Sequence, residues 1–252
     1  MTKKFFKGDS LNQLYLDVLR EIDQNPEFVS SPRGIETKEI TNLSIELTNP
    51  FDRIVWNKAR EVNYEFAMKF FLWMLNGDSS LDYVAGANKH AKEFIDQPKS
   101  ALELPTNFST AYGPRIGRQI GAIIEELKRD KDSRRAVIHV LDEGDHAMLG
   151  VDTKEEYPCT DSFTFLIRDN QFHMYTHMRS NNMVLTICYD AFNMTLLQEF
   201  LFRVLKNHYP ELTMGSYHHN IVSAHFFSRE QPLVDKVLAT NEPWLIQKQK
   251  QD

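Results

Sequence analysis

Cysteine and positive charge are both scarce in this sequence: Cys159 and Cys188 are its two cysteines, and 29 Lys and Arg stand against 35 Asp and Glu in 252 residues. Two cysteines cannot build the disulfide framework of a small secreted domain, and they fit a reducing cytoplasm. A net charge of −6 leaves no basic excess for counterion release, so no nucleic-acid partner is expected and any bound phosphate should be small and locally held. Long apolar runs are missing too. The densest, residues 66–75, contains Lys69 and falls far short of the roughly 20 residues of a bilayer span, so it reads as a core helix and no membrane partner is expected. The opening MTKKFFKGDS has charge without an apolar stretch behind it, so no export signal is read and a cytoplasmic protein is expected. Repeats, low-complexity tracts and Gly/Ser linkers are also lacking, which suggests one domain over residues 1–252.

Apolar and aromatic side chains are plentiful, at 42% and 12% of the chain, enough to close a sizeable core. Residues 11–23 place Leu11, Leu14, Val18 and Leu19 on one stripe and predict an amphipathic helix. Alternation over 33–47 predicts a strand or strand pair, and 57–75 predicts a long helix stopped at Asn76-Gly77. Between about 78 and 111 the pattern is irregular and Pro-bearing, and reads as short helices and loops. A helix is predicted over 116–129, where Ile116, Ile120, Ile123, Ile124 and Leu127 share a face. A strand follows over 136–141, then a hairpin turning at Asp169-Asn170, then a helix over 193–207. Met68, Met74, Met178 and Met183 are expected in the core. The fold class is α+β, a mostly antiparallel sheet packed with several long helices.

The segment Tyr157 to Arg179, YPCTDSFTFLIRDNQFHMYTHMR, sets a cysteine just ahead of a strand and returns an arginine after the hairpin. Such a placement can bring a thiol beside a permanent cation, which favours the nucleophilic thiolate. The same pattern also suits a cysteine that is merely a small buried hydrophobe, and these residues alone leave both open. His218, His219 and His225 lack an accompanying Cys or acidic ligand spacing, so no metal is expected.

Several short motifs occur in the order found in the thymidylate synthase superfamily. Pro158-Cys159 and Arg179-Ser180 resemble its catalytic stretch, and Asp132-Ser133-Arg134-Arg135 its Ser-Arg-Arg motif. Ala111-Tyr112-Gly113 resembles its Tyr-Gly element, residues 72–78 its Trp-containing helix end, and Arg33-Gly34 its early arginine loop. The resemblance covers about residues 11–230. It implies a thymidylate synthase-like fold whose sheet face forms a homodimer. It also implies covalent addition of Cys159 to C6 of a pyrimidine nucleoside monophosphate, with 5,10-methylenetetrahydrofolate as co-substrate and Trp73 on its binding side. Arg33, Arg179 and Ser180 would hold the 5′-phosphate, joined by Arg134 and Arg135 from the partner subunit. Tyr112 would assist proton removal from C5, His225 would lie near the ribose, and Asn182 would occupy the place of a catalytic-site aspartate.

Counting from Arg179, the family's base-reading asparagine falls without a gap on Asp190. A carboxyl group can accept from cytosine N4 and share a proton with N3, so aspartate there favours cytosine over uracil. Phage dCMP hydroxymethylases resemble the chain at the same places, with Cys-Thr (Cys159-Thr160), Arg-Ser-Asn and an Asp at the reading position. A competing alignment inserts three residues and makes Asn193 the reader. The chain departs from the family in three ways: its helix glutamate falls on Phe70, with Glu65 about 140° around the helix; its aspartate is Asn182; and the tyrosine of its sugar motif is Phe227. The C-terminus EPWLIQKQKQD lacks the apolar tail that excludes water during hydride transfer. The expected activity is therefore C5 hydroxymethylation of dCMP or CMP, the alternatives being methylation of dCMP or dUMP, or a silent nucleotide-binding homologue.

Overall fold

The computed structural model describes residues 2–83, 107–150 and 157–240. Alternating buried and accessible side chains build one seven-stranded sheet from β1 (Phe5–Gly8), β2 (Phe28–Ser30), β3 (Thr37–Leu47), β4 (Val137–His139), β5 (Thr160–Arg168), β6 (Gln171–Asn182) and β7 (Thr213–Phe227). Their order is β1-β3-β7-β6-β5-β4, with β2 also on β3. Pairings β2/β3, β3/β7, β4/β5 and β5/β6 are antiparallel, while β1/β3 and β6/β7 are parallel, so the sheet is mostly antiparallel as expected. The helices are α1 (Leu11–Gln24), α2 (Tyr64–Leu75), α3 (Tyr112–Arg129), α4 (Ile187–Lys206) and α5 (Gln231–Ala239). The core lies between the sheet and α1 and α4, where Leu19, Ile22, Phe163, Phe172, Leu197 and Leu201 are all at most 1% exposed.

Local chemistry explains where elements begin. The helix expected from residue 57 starts at Tyr64, because the Asn57 side chain accepts from the Ala59 and Arg60 N–H groups and Glu61 takes a φ of 44°. Asn63 then caps the helix, accepting from Phe66 N at 2.9 Å. Asp169 and Asn170 have φ of 49° and 58°, as a two-residue hairpin turn of the inverted type requires. The helix expected from 193 begins six residues earlier, at Ile187, which brings Asp190 into its first turn. Residues 32–34 form a 3₁₀ turn and the strand proper starts at Thr37. Met68 corrects one expectation: it is 41% exposed on the solvent face of α2, whereas Met74, Met178 and Met183 are buried. Among the described residues no helix is long and apolar enough to cross a membrane.

The second face of the sheet is half-exposed and mixed in character. His218 on β7 stacks on Tyr175 of β6 with ring centroids 4.3 Å apart, and Val222 is 62% exposed.

Candidate active site

Cys159 sits one residue before β5 and is partly exposed. Across the ladder, Arg179 N–H donates to Cys159 O at 2.9 Å, and the β5/β6 register shifts between Thr160 and Ser162, an irregularity of the kind that re-aims side chains. The Arg179 guanidinium folds back over this corner. Its Nε donates to Pro158 O at 2.8 Å, its Nη2 to Tyr157 O at 3.2 Å, and its plane lies over the Tyr157 ring at 4.8 Å. The same Nη2 lies 3.7 Å from Cys159 Sγ. Two backbone carbonyls thus fix a permanent cation beside the sulfur.

Tyr112, the first residue of α3, accepts a hydrogen bond from Thr160 N at 3.2 Å, next to the cysteine. Gly113 makes this placement feasible: a Cβ there would lie 2.7 Å from Met74 O and 3.0 Å from Asp78 O, so only glycine lets α3 start against the end of α2. Burial pushes the Tyr112 phenol above its usual range, and the negative charges of Cys159 and Asp190 add to the shift. The phenol, thiol and carboxyl group therefore share one electrostatic environment.

Asp190 is partly accessible in the first turn of α4. A helix N-terminus favours a carboxylate, and Asn181 Nδ2 donates to Asp190 Oδ2 at 2.7 Å. Burial outweighs these influences and pushes the carboxyl up to about 6. Behind it stands a buried polar chain that the sequence reading missed: Asn181, His219 and Tyr217, each at most 2% exposed. The alternative reader, Asn193, is 4% exposed, and its Oδ1 is buried without a hydrogen-bond partner.

The remaining candidates divide. Ser180 pairs across the sheet with Ser223, and Asn182 with His225, beside the Cys159 corner. His225 Nδ1 lies 3.2 Å from Ser223 O, and its ring meets Phe227 edge-on at 5.4 Å. Asn182 is committed elsewhere: its Nδ2 donates to both Glu230 oxygens at 3.1 and 2.9 Å, and its Oδ1 accepts from Val184 N and Leu185 N. Arg134 and Arg135 are exposed just beyond the far end of α3, whose 18 residues from Tyr112 to Arg129 span about 27 Å. Arg135 there pairs with Glu126 at 2.8 Å. The Arg33 side chain and the C-terminal stretch 242–252 lie outside the described residues.

Trp73 is 3% exposed and donates from Nε1 to Ser80 O at 3.2 Å. Phe70 packs on it at 5.2 Å and on Phe66 at 6.0 Å, and Phe66 meets Tyr189 edge-on at 5.5 Å. Glu65 faces solvent, paired with Lys69 at 2.7 Å, so it does not stand in for the glutamate that Phe70 displaces. The half-buried Phe66, Phe70 and Tyr189 form an aromatic wall that suits a flat heteroaromatic ring, with Trp73 as its backing. His218, His219 and His225 have separate partners, and no metal-holding cluster occurs among the described residues.

A deoxyuridylate hydroxymethyltransferase of Bacillus phage SP01 is 28% identical over 193 residues, 71% of this chain and 48% of that protein. A second deoxyuridylate hydroxymethyltransferase, from Delftia phage PhiW-14, is 23% identical over 81% of this chain and 57% of its own length. The deoxycytidylate 5-hydroxymethyltransferase of Enterobacteria phage T6 is 24% identical over 88% of both chains. The chain thus spans about half the length of the SP01 relative. The thymidylate synthase family profile matches residues 13–248, and with Cys159, Arg179 and Tyr112 gathered as described, the chain belongs to the thymidylate synthase family.

Proposed function

We propose that this protein transfers a one-carbon unit to C5 of a cytosine nucleotide, dCMP or CMP, and releases the 5-hydroxymethyl product. The observation that carries the reading is the Cys159 thiol with the Arg179 cation 3.7 Å from it and the Tyr112 hydroxyl bonded to the neighbouring Thr160 N–H, a phenol that also feels the charge of Asp190. The Cys159 sulfur adds to C6 and moves the ring's electron pair to C5, which then acts as the carbon nucleophile. When bound, 5,10-methylenetetrahydrofolate supplies a carbon at the oxidation level of formaldehyde, and the wall of Phe66, Phe70 and Tyr189 would hold its ring system. Tyr112 stands where the C5 proton is removed. A protonated Asp190 donates to cytosine N3 and accepts from N4. With the C5 proton gone and tetrahydrofolate released, water adds to the methylene left on C5 to give the hydroxymethyl group, and loss of the sulfur from C6 restores the aromatic ring.

Phosphate binding falls to Arg179, Ser180 and Arg33, since guanidinium forks match phosphate oxygens. Arg134 and Arg135 lie beyond the C-terminal end of α3, whereas Tyr112 at its N-terminal end is the residue bonded beside Cys159. They serve the site only if Arg134 and Arg135 of the partner subunit reach across, which makes the half-exposed sheet face around Tyr175, His218 and Val222 the homodimer interface.

A second reading keeps hydroxymethylation but takes dUMP, the base named in two of the relatives. Incubation with methylenetetrahydrofolate and each of CMP, dCMP, UMP and dUMP, followed by the mass of the product, decides. Gain of CH₂O on a cytosine nucleotide is expected. Gain of CH₂ with dihydrofolate formed would replace it with methylation, product from uracil nucleotides alone would select the second reading, and no product from any would mark a silent homologue.

A further inference from the structure

We propose that Asn181, locked by His219 and Tyr217, is a positioning residue that fixes which oxygen of Asp190 can carry its proton and so makes the site discriminate between cytosine and uracil. The inference rests on the reading of Asp190 as the group that meets the base. A carboxylic acid alone does not discriminate. With its hydroxyl toward N3 and its carbonyl toward position 4, it complements cytosine; with the two exchanged, it complements the N3–H and O4 of uracil. Discrimination needs something that forbids the exchange.

The buried chain behind Asp190 does this. Asn181 Nδ2 donates to Asp190 Oδ2 at 2.7 Å and to Thr186 Oγ1 at 2.9 Å, so its Oδ1 must accept. The group facing Oδ1 is His219 Nε2 at 2.9 Å, which must therefore hold the imidazole hydrogen. Burial drives His219 down to about 3, so the ring is neutral and Nδ1 is an acceptor. The Tyr217 hydroxyl, 2.6 Å from Nδ1, supplies the hydrogen, and Thr176 Oγ1, 3.0 Å from the same phenol oxygen, donates to it in turn. Asn181, His219 and Tyr217 are 2%, 1% and 1% exposed, so water cannot substitute for any link. Turning the Asn181 amide over would set its oxygen against the charged Asp190 Oδ2 and would require His219 and Tyr217 to reverse their hydrogens together, with Tyr217 then donating to Thr176 Oγ1. Each link thus holds the next, and Oδ2 stays an acceptor. The proton of Asp190 is left to Oδ1, and the cytosine reading places Oδ1 at N3.

The test is equilibrium binding of dCMP and dUMP to the full-length protein by calorimetry, for the wild type, Asn181→Ala and Tyr217→Phe. Binding does not require turnover, so it reads the site even in a silent homologue. Freed of its lock, Asp190 should serve either base, and the affinity ratio between the two nucleotides is expected to fall roughly tenfold or more in Asn181→Ala, with dUMP gaining relative to dCMP. Tyr217→Phe removes one oxygen, leaves the packing nearly unchanged and should move the ratio the same way by a smaller factor. If Asn181→Ala does not fold, Tyr217→Phe decides. A parallel loss for both nucleotides with the ratio preserved would overturn the proposal and leave Asn181 a structural residue. A wild type that prefers dUMP would instead overturn the cytosine reading alone, and the ratio must still collapse toward one in the variants.

Discussion

Replacing Asp190 with asparagine is expected to stabilise the protein, and more so at about pH 8 than at about pH 5. Burial raises this carboxyl group from 3.8 to about 6. The native state therefore binds the proton more tightly than the unfolded chain does. The stability tied to Asp190 is complete below pH 3.8 and is lost as pH rises through about 6. A shift of about two units at roughly 1.4 kcal/mol each amounts to about 3 kcal/mol, and partial exposure to water trims it to roughly 2–3 kcal/mol. Asparagine keeps the volume and an oxygen to accept from Asn181 Nδ2, but it never ionises. The gap between Asp190→Asn and wild type should thus be largest at alkaline pH, fall by about half near pH 5, and vanish as pH approaches 3.8. Urea denaturation of both proteins across this range measures it. A gap that does not change with pH, or a variant less stable than wild type at pH 8, would refute the reasoning. Confirmation would show that the site holds a costly carboxyl group for a purpose other than folding.

Three further substitutions probe the site's scaffold and its sulfur. Gly113→Ala drives a Cβ to 2.7 Å from Met74 O, so it should cost about 1–3 kcal/mol and lower activity by displacing Tyr112. Gly117→Ala, four residues along the same helix with nothing within 4 Å, should instead gain up to about 1 kcal/mol; thermal melts and turnover of the pair separate the two effects. Arg179→Ala removes the cation 3.7 Å from Cys159 Sγ, and the rate of Cys159 alkylation by iodoacetamide at neutral pH, followed by intact mass, should drop several-fold. An unchanged rate would detach Arg179 from the thiol's reactivity.

The sequence made the framework legible where periodicity and turn chemistry are strong. The stripe of Leu11, Leu14, Val18 and Leu19 became α1, and Asp169-Asn170 turned the hairpin that brings Arg179 back to Cys159. The start of α4 was less legible, because Thr186 to Asp190 mixes polar and apolar residues that show no helical stripe. The longest strand, β7, was not assigned at all. Its inward residues Tyr217, His219 and Ile221 do alternate, but two of them are polar, and His219 was weighed with His218 and His225 for metal binding rather than read as core. The same polarity concealed the support of Asp190, since Asn181 lies opposite Ala224 and His219 opposite Thr176 in the β6/β7 ladder, and the two meet only through side chains 38 residues apart in the chain. Trp73 was the reverse case: a motif suggested a ligand contact, and the ring is packed behind Phe70 with its N–H committed to Ser80.

Covalent addition of the sulfur to the pyrimidine is what every proposed step depends on, and labelling at C5 reports it directly. With dCMP or CMP carrying tritium at C5, the wild type and methylenetetrahydrofolate should release the label to water, and Cys159→Ser, folded to the same melting temperature, should release none. Release by the serine variant at the wild-type rate would contradict the account.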